Sequence, residues 1–514
     1  MTTLSRRGLL KTGVAAGVLG LTGMPLLAQA KRGGTLRLGC AGANTSDTWD
    51  GRTHSDTYMI VVAHGAVFDC LTEIAANGEL IGELATDWEA TPDAKTWTFN
   101  LRQGVTFHNG APFTADDVIA SLELHTAEGS KSAAEPIVAA ITEMNKITDY
   151  QVQFVLEAGN ADFPFLMSDY HLLMYPNGSI DEAIAKGIGT GMYKVEAFDP
   201  GVRTLLSRVD GHYKDGRAGW FDQVESIAIN DGSARMTALM TGQVDVVNNV
   251  VFQTEPLIRA NPKLAILETT GNQHYTFPML TNLSPFDNLK VRQALKFAVD
   301  RQEMVDKILQ GHGAVANDHP IGPANQYWAK DLPQNSYDPD RSKAMLKEAG
   351  LDGLSVDLSA SDAAFDGGVD AALLYQASAK DCGININVVQ EPADGYWSNV
   401  WLKKPWCESY WSGRVTEDWM FTLGYQTGAA WNDTNWVNDR FQSLLLEARA
   451  ELDSNKRRDM YTEMQSLLST EGGTVIPMYA NAVDALSNTL AHPEKVGNVY
   501  DLDSNRLIER WWVA

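Results

Sequence analysis

Recurring spacings of apolar residues run along the chain, and each predicts its own kind of element. Strict alternation marks half-buried strands. It occurs in Gly34-Thr-Leu-Arg-Leu38, in Trp97-Thr-Phe-Asn-Leu101, and in the pair Leu354-Ser-Val-Asp-Leu358 and Ile384-Asn-Ile-Asn-Val388. Short runs rich in apolar residues at 244–247 and 475–479 predict further strands. Apolar residues at i, i+3, i+4 and i+7 mark a helix face, as Val291, Ala294, Leu295 and Ala298 do within 285–301. Helices are also predicted over 59–68, 180–186, 234–239, 340–350, 441–450 and 456–468. Turns fall at Asn77-Gly78, Gln103-Gly104 and Asn109-Gly110. Thr114 caps a helix whose first turn holds Asp116 and Asp117, Gly350 closes one at its C′ position, and Asp453 or Ser454 can cap the last. Strands 354–358 and 384–388 flank a helical stretch, a βαβ unit, and the fold class is α/β.

One stretch breaks this rhythm. Seven of the 14 tryptophans lie between residues 396 and 436: Trp397, Trp401, Trp406, Trp411, Trp419, Trp431 and Trp436. Arg414, Glu417, Asp418 and Asp433 are interleaved with them. Flat rings exclude water, and a few charges then act at low local dielectric, which is how a small zwitterion is enclosed. Trp397, Trp401 and Trp411 can each be pocket wall or core. Apolar cores, however, seldom mix Arg, Glu and Asp with their aromatics. Asp433 is either a ligand-facing acid or a helix cap before Trp436. His54, in the polar loop 44–58, is either solvated or reaches a cleft from the opposite side.

Charge narrows the partners. The chain carries a net charge of −24. Ser5-Arg6-Arg7-Gly8-Leu9-Leu10-Lys11 resembles a twin-arginine export motif, and a weak apolar run and Ala28-Gln29-Ala30 follow it. Residues 1–30 therefore read as a signal peptide cleaved after Ala30, leaving a soluble periplasmic protein. Its loss removes Arg6, Arg7 and Lys11 and no acid, so the mature chain is three charges more negative. Nucleic acid and anionic lipid are excluded as partners, since both are polyanions. Cys40, Cys70, Cys382 and Cys407 permit three full pairings and contain no C-x-x-C. The histidines show no H-E-x-x-H, so neither a metal site nor a cofactor is expected. Some 484 residues exceed a single core, and two large lobes or three domains are expected.

The run from Leu84 to Val118 carries Leu84-Ala-x-x-Trp88, then Thr98-Phe-Asn-Leu-Arg-Gln-Gly-Val-Thr-Phe-His-Asn-Gly110, then Thr114-Ala-Asp-Asp-Val118. It resembles the signature of the family 5 extracellular solute-binding proteins, the dipeptide-, oligopeptide- and nickel-binding components of ABC importers. Four later elements agree in order. Gly189-Thr-Gly-Met-Tyr193 stands for the family's G-T-G-P-Y, with Met192 in place of Pro. Gly242-Gln-Val-Asp245 stands for its G-x-V-D. Val291-Arg-Gln-Ala-Leu295 to Asp300-Arg301 matches its helix, and Ile476-Pro-Met478 its closing I-P-L segment.

The resemblance implies a two-lobed, Venus-flytrap periplasmic binding protein with an extra small domain. Lobe I would be discontinuous, 31–65 with 190–270 and 480–514. The small domain would span 66–189, and 271–479 would form lobe II with the Trp-rich ligand loop. In peptide-binding relatives an Asp about seven residues before a Phe in that loop receives the α-ammonium. Aligned on Phe421, this chain has Arg414 there, a charge inversion that suits a carboxylate. The resemblance thus implies a monomeric receptor that hands a small zwitterionic or anionic nitrogenous solute to importer permease subunits. A di- or oligopeptide or a peptide-like amino-acid conjugate fits best. Arg414 would clamp a carboxylate, Asp418 or Glu417 would pair an amine, and Trp397, Trp401, Trp411, Trp431, Asp433 and His54 are further candidates. Arg414 paired internally with Glu417 or Asp418 is the competing reading. Other functions are a receptor for a metal chelate or a sugar- or opine-type conjugate, an exported hydrolase, and a binder of unfolded chains. The chain has no G-x-S-x-G and no nucleophile–base pair for a hydrolase.

Overall fold

The structure is a computed structural model, and it describes residues 30–514. The twin-arginine motif and the apolar run after it lie outside the described residues.

A nine-stranded mixed sheet forms the spine. From one edge it runs Ser409–Trp411, Leu264–Pro278, Thr474–Ser487, Val246–Val247, Thr35–Cys40, Gln223–Ala228, Arg203–Arg208 and Tyr193–Asp199, with Gly313–Val315 also on Thr474–Ser487. The alternation at 34–38 becomes Thr35–Cys40, parallel to both neighbours, with Leu36, Leu38 and Cys40 fully buried. Beneath it pack Tyr58, Val61 and Phe68, from a helix that begins at Thr57–Val62 and widens to a π turn at Ala63–Val67. The widening fits a backbone crossing: a Cβ on Gly65 would lie 2.1 Å from the Asn505 carbonyl oxygen.

Thr96–Leu101 sits in a separate four-stranded antiparallel sheet with Ala85–Ala90, Gln151–Leu156 and Ile141–Thr148. Its inward residues are Trp97, Phe99 and Leu101; the first two meet Phe154 or Phe163 edge-on or tilted, and all three share a core with the helix Ala115–Thr126. Asp117 caps that helix as its place in the first turn predicts. One carboxylate oxygen accepts from the Thr114 N–H at 2.7 Å and from its hydroxyl at 2.9 Å, and the other accepts from the Asn177 N–H at 2.7 Å.

The βαβ unit is present: Leu354–Ala360 and Ile384–Gln390 pair in parallel around the helix Gly368–Lys380. The helix expected through 285–301 divides in two. Leu289–Phe297 ends, and Asp300 starts Arg301–Lys307 by accepting from the Glu303 N–H at 3.0 Å. The side-chain cap wins over the continuing apolar period, because Arg301 is drawn to Asp318 at 2.7 Å. All four cysteines are buried and free, so none of the three pairings is formed.

Two long strands tie the halves of the molecule together. Leu264–Pro278 pairs antiparallel with Thr474–Ser487, from Leu264 opposite Ser487 to Pro278 opposite Thr474. One end carries Leu264, Ile266, Val483 and Ala485 into the core around Met236 and Ile258. The other carries Phe277, Val475 and Met478 into the core around Val291 and Leu295. Register slips between Thr269 and Gln273, midway between these cores. Beside the slip His312 lies between Glu255 (2.8 Å) and Glu268 (3.0 Å), an ion-paired contact that raises its pKa above the usual imidazole value.

Candidate ligand cleft and aromatic edge

The Trp-rich stretch builds one margin of the spine sheet. Ser409–Trp411 is the edge strand, paired through His274–Trp411, Tyr275–Tyr410 and Thr276–Ser409. A loop through Ser412–Val415 leads to the helix Glu417–Gly424, which Thr416 caps by accepting from the Trp419 N–H. Gly413 is required by what crosses it, since a Cβ there would lie 1.5 Å from the Asn272 side-chain oxygen. The Asn272 amide in turn donates to the Arg414 carbonyl at 3.3 Å.

Arg414 and Asn272 line a cleft of about 800 Å³. Six separate parts of the chain enclose it: 74–80, Phe165, Asn272, 324–326, Arg414 with Val415, and 495–499. Arg414 and Lys495 are its cations and Glu79 its one acid; Asn77, Asn272, Asn325, Gln326 and Asn498 supply carboxamides. A void of about 30 Å³ adjoins it, walled by Asp169, Tyr170, Val415 and Tyr500. The rings of Tyr170 and Tyr500 meet edge-on at 5.9 Å.

The Arg414 guanidinium does not pair with Glu417 or Asp418. It folds back on its own loop, donating to the Ser412 carbonyl and hydroxyl, both at 2.9 Å, and lies over the Trp411 ring at 5.8 Å. Both acids are engaged inside the molecule. Asp418 takes two bonds from Arg449 Nε, at 3.0 and 3.1 Å, and Glu417 accepts from the Tyr327 N–H at 2.8 Å. Both are nearly fully buried. The expectation that either faces an amine is corrected in its geometry: the first turn of their helix points into the protein. Nearby, Arg457 pairs with Asp162 at 2.7 Å.

His54 is buried and reaches neither cleft nor solvent. Its Nε2 meets the Thr48 carbonyl at 2.9 Å, and burial pushes its pKa down to about 4, so the ring is neutral. Asp433 caps no helix. Its Oδ2 accepts from the Trp401 indole N–H at 3.2 Å, and burial pushes its pKa up to about 7. Trp411 is buried against Met420 and Phe421, whereas Trp397 and Trp431 remain 41% and 46% exposed. Together the rings form a ladder around the edge strand. Trp411 to Trp431 is 6.0 Å, Trp431 to Trp401 is 6.3 Å, and Trp401 to Trp397 and Trp397 to Tyr410 are each 5.7 Å.

The structure therefore joins Arg414 to the Trp ladder and sets Glu417, Asp418 and His54 apart. Lys495, Asn272, Tyr170 and Tyr500 join the site without a sequence signal, because no local spacing connects 170, 272 and 495–500 to the Trp stretch.

Residues 79–433 match the family model described as bacterial extracellular solute-binding proteins, family 5 Middle. The dipeptide-binding protein of Escherichia coli is 26% identical over 448 residues, covering 77% of this chain and 80% of that protein. HbpA2 from Haemophilus parasuis superposes with a TM-score of 0.80 at 21% identity, over 89% of this chain and 96% of that one. DppA from Helicobacter pylori, solved with the peptide STSA, superposes with a TM-score of 0.76 at 20% identity, over 95% and 99%. These neighbours are two-lobed periplasmic binding proteins, and the fold here is theirs. The chain belongs to the bacterial extracellular solute-binding proteins of family 5.

Proposed function

We propose that this chain is the substrate-binding component of an ABC importer, a periplasmic receptor for a small zwitterionic or anionic nitrogenous solute. A di- or oligopeptide or a peptide-like amino-acid conjugate is the class that fits. One observation carries the reading: the cleft holds two cations and one acid in a chain whose net charge is −24. Such a local reversal of sign favours a carboxylate and repels the surrounding acids. Arg414 is the clamp. Its guanidinium is held by its own loop and lies over Trp411, with no carboxylate partner among the described residues, so a ligand carboxylate can replace the Ser412 contacts with a bidentate pair.

Capture proceeds by closure. We assign 31–65, 190–270 and 480–514 to lobe I, 66–189 to the small domain, and 271–479 to lobe II. The register slip at Thr269–Gln273 then falls at a lobe boundary, where few backbone angles need change. A ligand touching Arg414 on one side and 495–499 on the other completes its contacts only when the lobes meet, and that difference drives closure. Export through the twin-arginine route, cleavage after Ala30, a monomeric state and delivery to permease subunits complete the reading. No described helix is long and apolar enough to cross a membrane.

The test is a titration of the purified protein with short peptides, followed by tryptophan fluorescence. Arg414→Ala is expected to weaken binding about a hundredfold, as loss of one charge from a desolvated pair does, with Tm unchanged. Undiminished binding by Arg414→Ala overturns the assignment of the clamp.

A further inference from the structure

The cleft accounts for an anionic end of the ligand, and with Glu417 and Asp418 engaged internally Glu79 is the cleft's one acid, so a cationic end can have a second place. The aromatic ladder supplies a candidate. Trp397, Tyr410 and Trp431 are 41%, 42% and 46% exposed. Three large aromatics left open side by side are a recognition feature more often than an accident of packing. Their mutual angles are steep: 80° between Trp397 and Trp401, 65° between Trp401 and Trp431, and 69° between Trp397 and Tyr410. These are edge-to-face contacts, which brace neighbouring rings against one another. The observed centroid separations are 5.7, 6.3 and 5.7 Å.

Behind these walls lies a carboxyl group without a counter-ion. Asp433 is 6% exposed, and no Lys, Arg or His pairs with it among the described residues. Its partner is the indole N–H of Trp401, at 3.2 Å. An indole that donates to a carboxylate becomes more electron-rich, and its face attracts a cation more strongly. An ionised acid so buried is costly until a positive charge arrives, and a bound cation supplies that charge. The ladder already holds one cation, the Arg414 guanidinium over Trp411. A sugar face could stack on the same rings, but it would leave the acid uncompensated.

We propose that Trp397, Trp401, Trp431 and Tyr410, with Asp433 behind them, form a binding site for an organic ammonium group. The proposal rests on the receptor reading and deepens it: the ligand bears a carboxylate for Arg414 and, two rings along the ladder, an ammonium group that can be alkylated.

The probe is tetramethylammonium, with tert-butanol as a neutral molecule of similar shape, each titrated against the full-length mature protein by tryptophan fluorescence. The expected result is saturable quenching by tetramethylammonium and none by tert-butanol. Asp433→Asn should weaken the cation at least fivefold, and Trp431→Leu, at an exposed position where folding is not at risk, should do the same. Tetramethylammonium carries no carboxylate, so its binding is read apart from the carboxylate clamp at Arg414. Equal responses to both probes, no response to the cation, or full binding by Trp431→Leu overturns the proposal and leaves the Arg414 assignment standing.

Discussion

Arg414 and Asp418 are four residues apart and meet opposite fates. The loop holding Arg414 ends at Thr416, and the helix that follows turns its first carboxylates into the protein toward Arg449 and the Tyr327 N–H. Asp418 and Arg449 form a buried pair, and such a pair is costly to break because the remaining charge is stranded. Arg449→Met should lower the unfolding free energy by about 3 kcal/mol, measured by urea denaturation, and leave peptide affinity unchanged. A loss of affinity without a loss of stability would return Asp418 to the ligand site. Asp433 gives a second check through pH. Its pKa rises from 3.8 unfolded to about 7 folded, so its stabilising contribution is complete below about 4 and is lost as pH rises towards 7. The Trp401 indole donates to it, while the Cys407 thiol and the Tyr425 phenol are its titratable neighbours. Relative to the natural protein, ligand-free Asp433→Asn should lose less stability between pH 4 and 7. Parallel pH profiles for the two proteins would contradict the assignment.

At the scale of elements, what is local was legible and what is long-range was not. The alternation at 34–38, 97–101, 354–358 and 384–388 gives strands because period two is itself the cause of one-sided burial. The cap at Thr114 was legible for the same reason, since the acceptor lies within three residues of the donor, and of the two candidates Asp453 and Ser454 it is Asp453 that caps the last long helix. The break between Phe297 and Arg301 was hidden, because the partner that draws Arg301 away is Asp318, outside any helical window. The Trp stretch stood out by composition, yet the roles of its charges depended on Arg449, Tyr327 and Asn272. Gly413 lies where local and distant meet. Gly413→Ala would drive a Cβ into Asn272, and the loop carrying Arg414 must then shift. Peptide affinity should fall at least tenfold, read by calorimetry, with secondary structure retained by circular dichroism. Wild-type affinity in Gly413→Ala would show that the loop's position is not set by Asn272.

For the molecule as a whole, the central claim is that a solute with a carboxylate is enclosed between lobes joined by Leu264–Pro278 and Thr474–Ser487. The cleft of about 800 Å³ is of the size that holds a drug- or peptide-sized ligand. Six separate parts of the chain wall it, so its affinity belongs to the assembled fold and to none of its pieces. A receptor of this kind commonly retains ligand through purification when its closed state is stable, because release requires the lobes to part. Native mass spectrometry of the protein purified without denaturation weighs that ligand directly. The account predicts a single bound organic species bearing both a carboxylate and an amine or alkylated ammonium, absent from Arg414→Ala. A bare metal ion as the retained species, or the same organic species retained by Arg414→Ala, would contradict it.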